Sequence, residues 1–432
     1  MTSAGDAAGR VVGTTGLIHV LPAVMLWVIL ALGGCSGDKG LSAGSGPAPV
    51  ASGASAARDA APAVPFNEAI AIAADQMFQS FKIEGDNGTG PLPFIIDPLI
   101  DGSTGTQSTA TQYIQTQVIA LARKKYTRFQ VQPFTSAELN KRPLVLIGTF
   151  NTVDKAGEMK GDRYAWWICL VLVDLTSGKV AARGVAHARL DSVDATPLDY
   201  FRDSPAWSAD DETSAYVKNC QKTKVGDMVD PKYLDSLLAS SLIADAIEAY
   251  DNGRFGQALD LYRSAAAVPG GDQLRLYVGL YLTNQKLGNR TDEEASFRKL
   301  VDFGLAHKRL AVKFLFRPGS TVFVSDRQAN GPYDMWLQQI AREAATRDDC
   351  LEVTGHTTPT GLAPMNDRLS QLRAEYVRDR IDAIEPPLTP RTVANGVGSR
   401  DNLVGTGKDD DSDALDRRVE FRVIETVCGK PA

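Results

Sequence analysis

The chain has 432 residues, 44 % hydrophobic and 23 % charged, with room for roughly two to four globular domains. A formal net charge of −6 and the lack of any Lys/Arg-rich run exclude a basic nucleic-acid-binding stripe. Four histidines, Cys/His spacings that fit no zinc site, and no Gly-x-Ser-x-Gly elbow point away from an enzyme, a metal site or a cofactor.

In chain order, the first feature is the apolar run 17–32, LIHVLPAVMLWVILAL, interrupted by His19 and Pro22. It is short for a membrane span and suits a secretory signal, although Asp6 and Arg10 are the only charges before it. The run ends in Leu32-Gly33-Gly34-Cys35. Small residues before a cysteine let a peptidase accept an extended backbone while the thiol takes a diacylglycerol. The segment resembles the bacterial lipobox. That implies a signal peptide over 1–34 and Cys35 as the acylated first residue of the mature chain. An uncleaved anchor with an incidental cysteine is the alternative. Ser36 stands where some lipoproteins carry an aspartate that retains them at the inner membrane, which implies the outer membrane, lipid-anchored, on its periplasmic face. Residues 35–65, rich in Ala, Gly, Ser and Pro, cannot bury a core and predict a disordered tether spanning roughly 30 Å as a coil.

Four cysteines remain: Cys169, Cys220, Cys350 and Cys428. An even number in an oxidising compartment points to two bridges with three possible connectivities. Neighbourhood in the chain favours Cys169 with Cys220 and Cys350 with Cys428; four buried free thiols are the alternative.

Residues 66–225 predict an α/β sandwich with helices against a largely antiparallel sheet. FNEAIAIAADQMFQSF is an amphipathic helix, PFIIDPLI a strand, and YIQTQVIALARKKY a helix with Ile114, Val118 and Leu121 in register. FQVQPF, PLVLIGTF and YAWWICLVLVDL follow as strands, the last turning through 176–179 into VAARGVAHARL. Trp166 and Trp167 must point to opposite faces, leaving one indole exposed or packed under a loop at an edge. The stretch LVLVDLTSGKV, following Ile147-Gly148-Thr149, is similar to the periplasmic domain of penicillin-binding-protein activator and curli-secretion lipoproteins.

Residues 230–308 turn helical. Gly288 and Phe297 follow Gly253 and Tyr262 at an interval of 35, so the pattern resembles tetratricopeptide repeats, whose period is about 34. Glu293 and Leu300 depart from the small residues Ala258 and Ala265. Two such units are too few to stand alone and predict packing on a neighbouring domain, with the concave side a surface for protein docking.

Residues 310–432 predict the order β-α-β-α-β-β. AVKFLFRPGSTVF reads as an apolar strand, YDMWLQQIAREA as a helix, and CLEVTGHT as a strand ending in a Pro/Gly-broken loop. The next helix places Asn366, Ser370 and Arg373 at i, i+4 and i+7, one polar face looking back at that loop. FRPGS, GHT…G…NDRLSQLRAEYV, GVGS and DRRVEF together resemble the OmpA-like peptidoglycan-associated domain. The resemblance implies binding of the diaminopimelate of the peptidoglycan stem, whose carboxylate needs an arginine fork and whose ammonium needs an aspartate. Its site residues map onto Thr358, Asn366, Arg373 and Arg417, but Thr358 stands where the family carries the aspartate. A hydroxyl in place of that charge-assisted partner costs of order 1.5–3 kcal/mol. Three readings follow: reduced murein binding, or binding aided by Asp367; recognition of another anionic group by Arg373 and Arg417 alone; or a domain that binds protein. GTGKDD lacks the spacing of a phosphate loop, and DDDSDALDRRVE lacks the glycine of a calcium loop.

The expectation is an outer-membrane lipoprotein that tethers or positions an envelope assembly at the wall, with peptidoglycan, membrane lipid and unidentified envelope proteins as partners. The rival is a protein-binding regulator or assembly factor, such as a peptidoglycan synthase activator or secretion accessory, whose OmpA-like domain has lost diaminopimelate binding.

Overall fold

The computed structural model describes residues 62–424 and Cys428, except 84, 160–162, 209, 318, 324–331, 406 and 408–410. The apolar run 17–32, Cys35 and the expected tether as far as residue 61 lie outside the described residues.

The first half runs α1 (Phe66–Ser80), β1 (Leu92–Ile96), α2 (Thr109–Lys125), β2 (Phe129–Val131), α3 (Ser136–Leu139), β3 (Leu144–Val153), β4 (Ala165–Asp174), β5 (Lys179–Ala188), α4 (Asp199–Asp203), β6 (Ala206–Trp207) and α5 (Asp211–Gln221). The sheet order is β2-β1-β3-β4-β5. β3, β4 and β5 form an antiparallel meander, but β1 is parallel to both neighbours, so the sheet is mixed. The β4–β5 turn is set by Asp174, whose carboxylate accepts the Thr176 and Ser177 N–H groups at 2.9 and 3.2 Å, while Gly178 takes φ +67°. α1 and α2 cover one face through Ala73, Met77, Ile114 and Val118; α5 and the following helix cover the other through Tyr216, Cys220 and Tyr233. With both faces covered, Trp166 and Trp167 are each 6 % exposed, and neither indole is free. Trp166 stacks on Phe150 at 4.3 Å.

Four helices follow: α6 (Pro231–Asp251), α7 (Phe255–Ala266), α8 (Leu274–Leu287) and α9 (Arg290–Ala306). Gly253 and Gly288 take φ +71° and +73°, the left-handed conformation that ends α6 and α8. The buried ring of Tyr262 lies against Gly279, where an added Cβ would stand 2.1 Å from Cζ.

The last part comprises β7 (Arg309–Val312), α10 (Pro332–Ala345), β8 (Cys350–Gly355), α11 (Ala363–Ile384), β9 (Thr392–Gly396) and β10 (Val419–Ile424), with 3-10 turns at Pro386–Arg391 and Asp411–Asp416. The expected strand 311–323 is thus shorter: Gly319, at φ +64°, turns the chain back and Phe316 bridges Phe323. The sheet order is β6-β7-β10-β8-β9. Its outer strand β6 comes from far upstream: Ala206 and Trp207 face Val312 and Ala311. Trp207 Nε1 donates to Thr104 O at 2.7 Å, and the Arg309 guanidinium lies 5.0 Å from the indole centre. Cys169–Cys220 joins β4 to α5, and Cys350–Cys428 joins β8 to the chain beyond β10, with Cα separations of 6.1 and 5.5 Å.

One hydrophobic cluster runs from Tyr250 and Tyr262 through Phe297 and Leu300 to Phe314, Trp336, Val353 and Phe421. At its centre Phe297 of α9 stacks on Trp336 of α10 at 5.4 Å and 7°, and the indole N–H donates to Tyr281 Oη at 3.0 Å. The helical hairpins and the last sheet therefore share a core. Phe297→Ala is expected to cost about 3–5 kcal/mol in urea unfolding. A loss within about 0.5 kcal/mol, the size of a surface substitution, contradicts the shared core.

Candidate ligand site of the C-terminal sheet

Loop 356–362 leaves the end of β8 and is tied down by the first turns of α11. Asn366 Nδ2 donates to the carbonyls of Thr358 and Thr360 at 3.3 and 3.0 Å, and the two threonine hydroxyls meet at 2.7 Å. α11 sits directly on the strand because Gly355 has no side chain: a Cβ there would lie 2.1 Å from Ser370 O. Ser370 Oγ in turn accepts the Gly398 N–H at 2.8 Å, which fixes the loop after β9. Asn366, Ser370 and Arg373 are all buried and share one face of α11.

Arg373 is 6 % exposed. Its Nε donates to Ser320 O at 3.2 Å and its guanidinium lies 4.7 Å from the centre of the Phe316 ring. A planar cation held over an aromatic face, with its orientation fixed by a carbonyl, is preorganised for a carboxylate or another planar anion. Glu375 receives the Gln371 amide at 2.9 Å, and Asp367 is engaged by Arg400 Nη1 at 2.5 Å. Loop 356–362, HTTPTGL, offers hydroxyls and carbonyls but no carboxylate.

Arg417 stands half-buried just before β10. Val419 pairs with Gly355, and the His356 N–H donates to Arg418 O at 3.0 Å, so residues 417–418 run alongside the start of the threonine loop. The next residue carries a contact that motif spacing did not reveal. Arg418, 1 % exposed, donates from Nε to Glu420 Oε1 at 2.8 Å. Glu420 is fully buried and also receives Arg309 at 2.7 and 3.0 Å and Arg422 Nε at 2.9 Å. Burial alone pushes Glu420 up, but Arg418, Arg309 and the other neighbouring charges outweigh it and hold the carboxyl well below the usual range. Asp416 adds a second anchor, accepting the N–H groups of Leu403, Val404 and Gly405 at 2.7, 3.0 and 2.6 Å. The Arg309–Glu420 pair escapes sequence reading because its members stand 111 positions apart.

His356, Asp401 and Glu420 place three ligand atoms within 4.8 Å of one another. The donors from Arg309, Arg418 and Arg422 engage both Glu420 oxygens, and three guanidinium charges repel a cation, so the cluster is an ion-pair network. Among the described residues neither ring nitrogen of His356 has a hydrogen-bond partner.

No family profile and no curated protein matches this chain. Among solved structures, it is similar to the cell wall anchor of the T6SS from Pseudomonas aeruginosa, at 27 % identity over 27 % of this chain and 80 % of that one, with a TM-score of 0.23. It is similar to the peptidoglycan-associated lipoprotein from Burkholderia pseudomallei at 26 % identity, covering 26 % and 89 %, with a TM-score of 0.22. The periplasmic domain of Helicobacter pylori MotB is 16 % identical, covering 27 % and 74 %, with a TM-score of 0.23.

Burial and then the Arg418 guanidinium push His356 down to about 3 from its ordinary 6.5. The folded protein keeps the ring neutral where the unfolded chain protonates it. Its contribution to stability is therefore complete above pH 6.5 and is lost as the pH falls toward about 3. Relative to His356→Gln, the wild type is expected to lose stability between pH 6 and about 5, with a slope approaching 1.4 kcal/mol per pH unit. Parallel urea-unfolding profiles of the two proteins across that window contradict it.

Proposed function

We propose that the chain is an outer-membrane lipoprotein that tethers or positions an envelope assembly at the cell wall. In this reading acyl chains on Cys35 hold lipid, two or more being needed for stable anchoring. The C-terminal sheet holds peptidoglycan without catalysis. The observation that carries the reading is Arg373, a buried guanidinium oriented by Ser320 and Phe316 on the helix whose Asn366 ties down the threonine loop. It stands on the helix of one motif that resembles the OmpA-like domain and contacts a second, FRPGS. Arg373 takes the stem carboxylate, while Thr358 gives the ammonium only a hydroxyl. The carboxylate contact therefore dominates recognition. The rival reading, a protein-binding assembly factor, is favoured by that same missing carboxylate.

The test uses the whole protein, because β6 and α9 supply the last sheet with an edge strand and a core face. Purified full-length chain is sedimented with isolated sacculi at low salt. Arg373→Ala is expected to weaken retention roughly ten- to a hundredfold, the worth of one charge-assisted contact, and Thr358→Asp to strengthen it. Wild-type protein that stays in the supernatant contradicts wall binding. Retention unchanged by Arg373→Ala contradicts the assigned role of the guanidinium.

A further inference from the structure

A second site lies away from the wall-facing loops. A groove of about 620 Å³ separates the first sheet from α6. One wall is amide: Gln107 just before α2, Gln112 and Gln115 on α2, and Gln132 after β2. The other is acidic: Asp245, Glu248 and Asp251 of α6, with Ile119 and Phe134 among the apolar residues between the walls. Among the described lining residues none is basic.

Two independent features point to a ligand. Gln107 is only 7 % exposed, yet its side-chain amide has no hydrogen-bond partner among the described residues while it lines the groove. With no protein partner, that amide makes its hydrogen bonds into the groove, where a polar ligand would replace solvent. The three carboxylates are the second feature. Neither Asp245 nor Glu248 has an ion-pair partner among the described residues. Burial and then Glu248 push Asp245 up, and burial with Asp199 and Asp203 pushes Asp251 up to about 6, against the Tyr200 N–H that Oδ1 accepts at 2.8 Å. Negative charge in this wall is thus incompletely compensated.

Charge and length together favour one occupant. Positions i, i+3 and i+6 on a helix step by about 4.5 Å along the axis and span about 9 Å. Alternate side chains of an extended peptide stand about 7 Å apart. The whole row is too long for one metal ion, whereas two long, flexible cationic side chains two residues apart each reach one of its carboxylates. Glutamine amides opposite present both donors and acceptors, as an extended backbone requires. We propose that this groove binds an extended segment of a partner protein carrying Lys or Arg at alternate positions, its side chains on the α6 carboxylates and its backbone on the glutamines.

The test is fluorescence anisotropy of labelled Lys-Ala-Lys-Ala-Lys peptide with purified full-length protein at low salt, and Glu-Ala-Glu-Ala-Glu as control. Saturable binding of the cationic peptide alone is expected, weakened about tenfold by the Asp245→Asn/Glu248→Gln double variant. Gln107→Leu is expected to weaken it as well. Asp245 and Glu248 carry no structural ion pair, so melting temperature should hold in the double variant. Arg373→Ala should leave peptide binding unchanged, which separates this groove from the wall site. No binding, equal binding of the acidic control, or full affinity in the double variant overturns the proposal.

Discussion

A carboxylate with no solvent exposure in the middle of a sheet is tolerated only if its charge is matched on the spot. Glu420 of β10 meets that condition with Arg309, Arg418 and Arg422. The consequence is architectural. Arg309 pins β7 to β10, Arg418 also reaches Asp401 O at 3.0 Å, and Arg422 reaches the Asp401 carboxylate at 3.1 Å. The strand and the loop flanking the candidate site are thus fixed by one buried charge, and residues 417–418 are held beside the threonine loop.

The same economy links the parts of the chain. β6 gives the last sheet an outer strand from the end of the first α/β region, and the Phe297–Trp336 stack gives it a core shared with the helical hairpins. The Trp207 N–H on Thr104 O adds a direct contact between β6 and the loop after β1. The disulfides act within elements already close, Cys169 on β4 with Cys220 on α5 and Cys350 on β8 with Cys428.

Features set by short-range spacing were legible in the sequence. The Asp174 turn, the interval between Gly253 and Gly288, and the shared face of Asn366, Ser370 and Arg373 all follow from local periodicity. Features set by distant partners were not. β6 is two residues long and has no strand signal of its own; it exists because β7 offers an edge. The parallel placement of β1 depends on the crossover through α2. The burial of both Trp166 and Trp167 depends on α5 and α6 closing the second face. Within the candidate site, Phe316, Ser320 and Glu420 lie inside the quoted motifs, but their contacts with Arg373 and Arg309 come from tertiary packing. The acidic face of α6 was likewise invisible, since helical spacing of its carboxylates gains meaning only opposite the glutamines of α2.

Tethering in the proposed manner requires that the Arg373 guanidinium contact the wall ligand itself. The most direct measurement is the Arg373 Nε–H nuclear magnetic resonance signal in the full-length protein during titration with soluble muropeptide. A saturable shift of that signal, with the Arg309 Nε–H signal stationary, is the predicted result. An Arg373 signal that stays in place at saturating muropeptide contradicts the account.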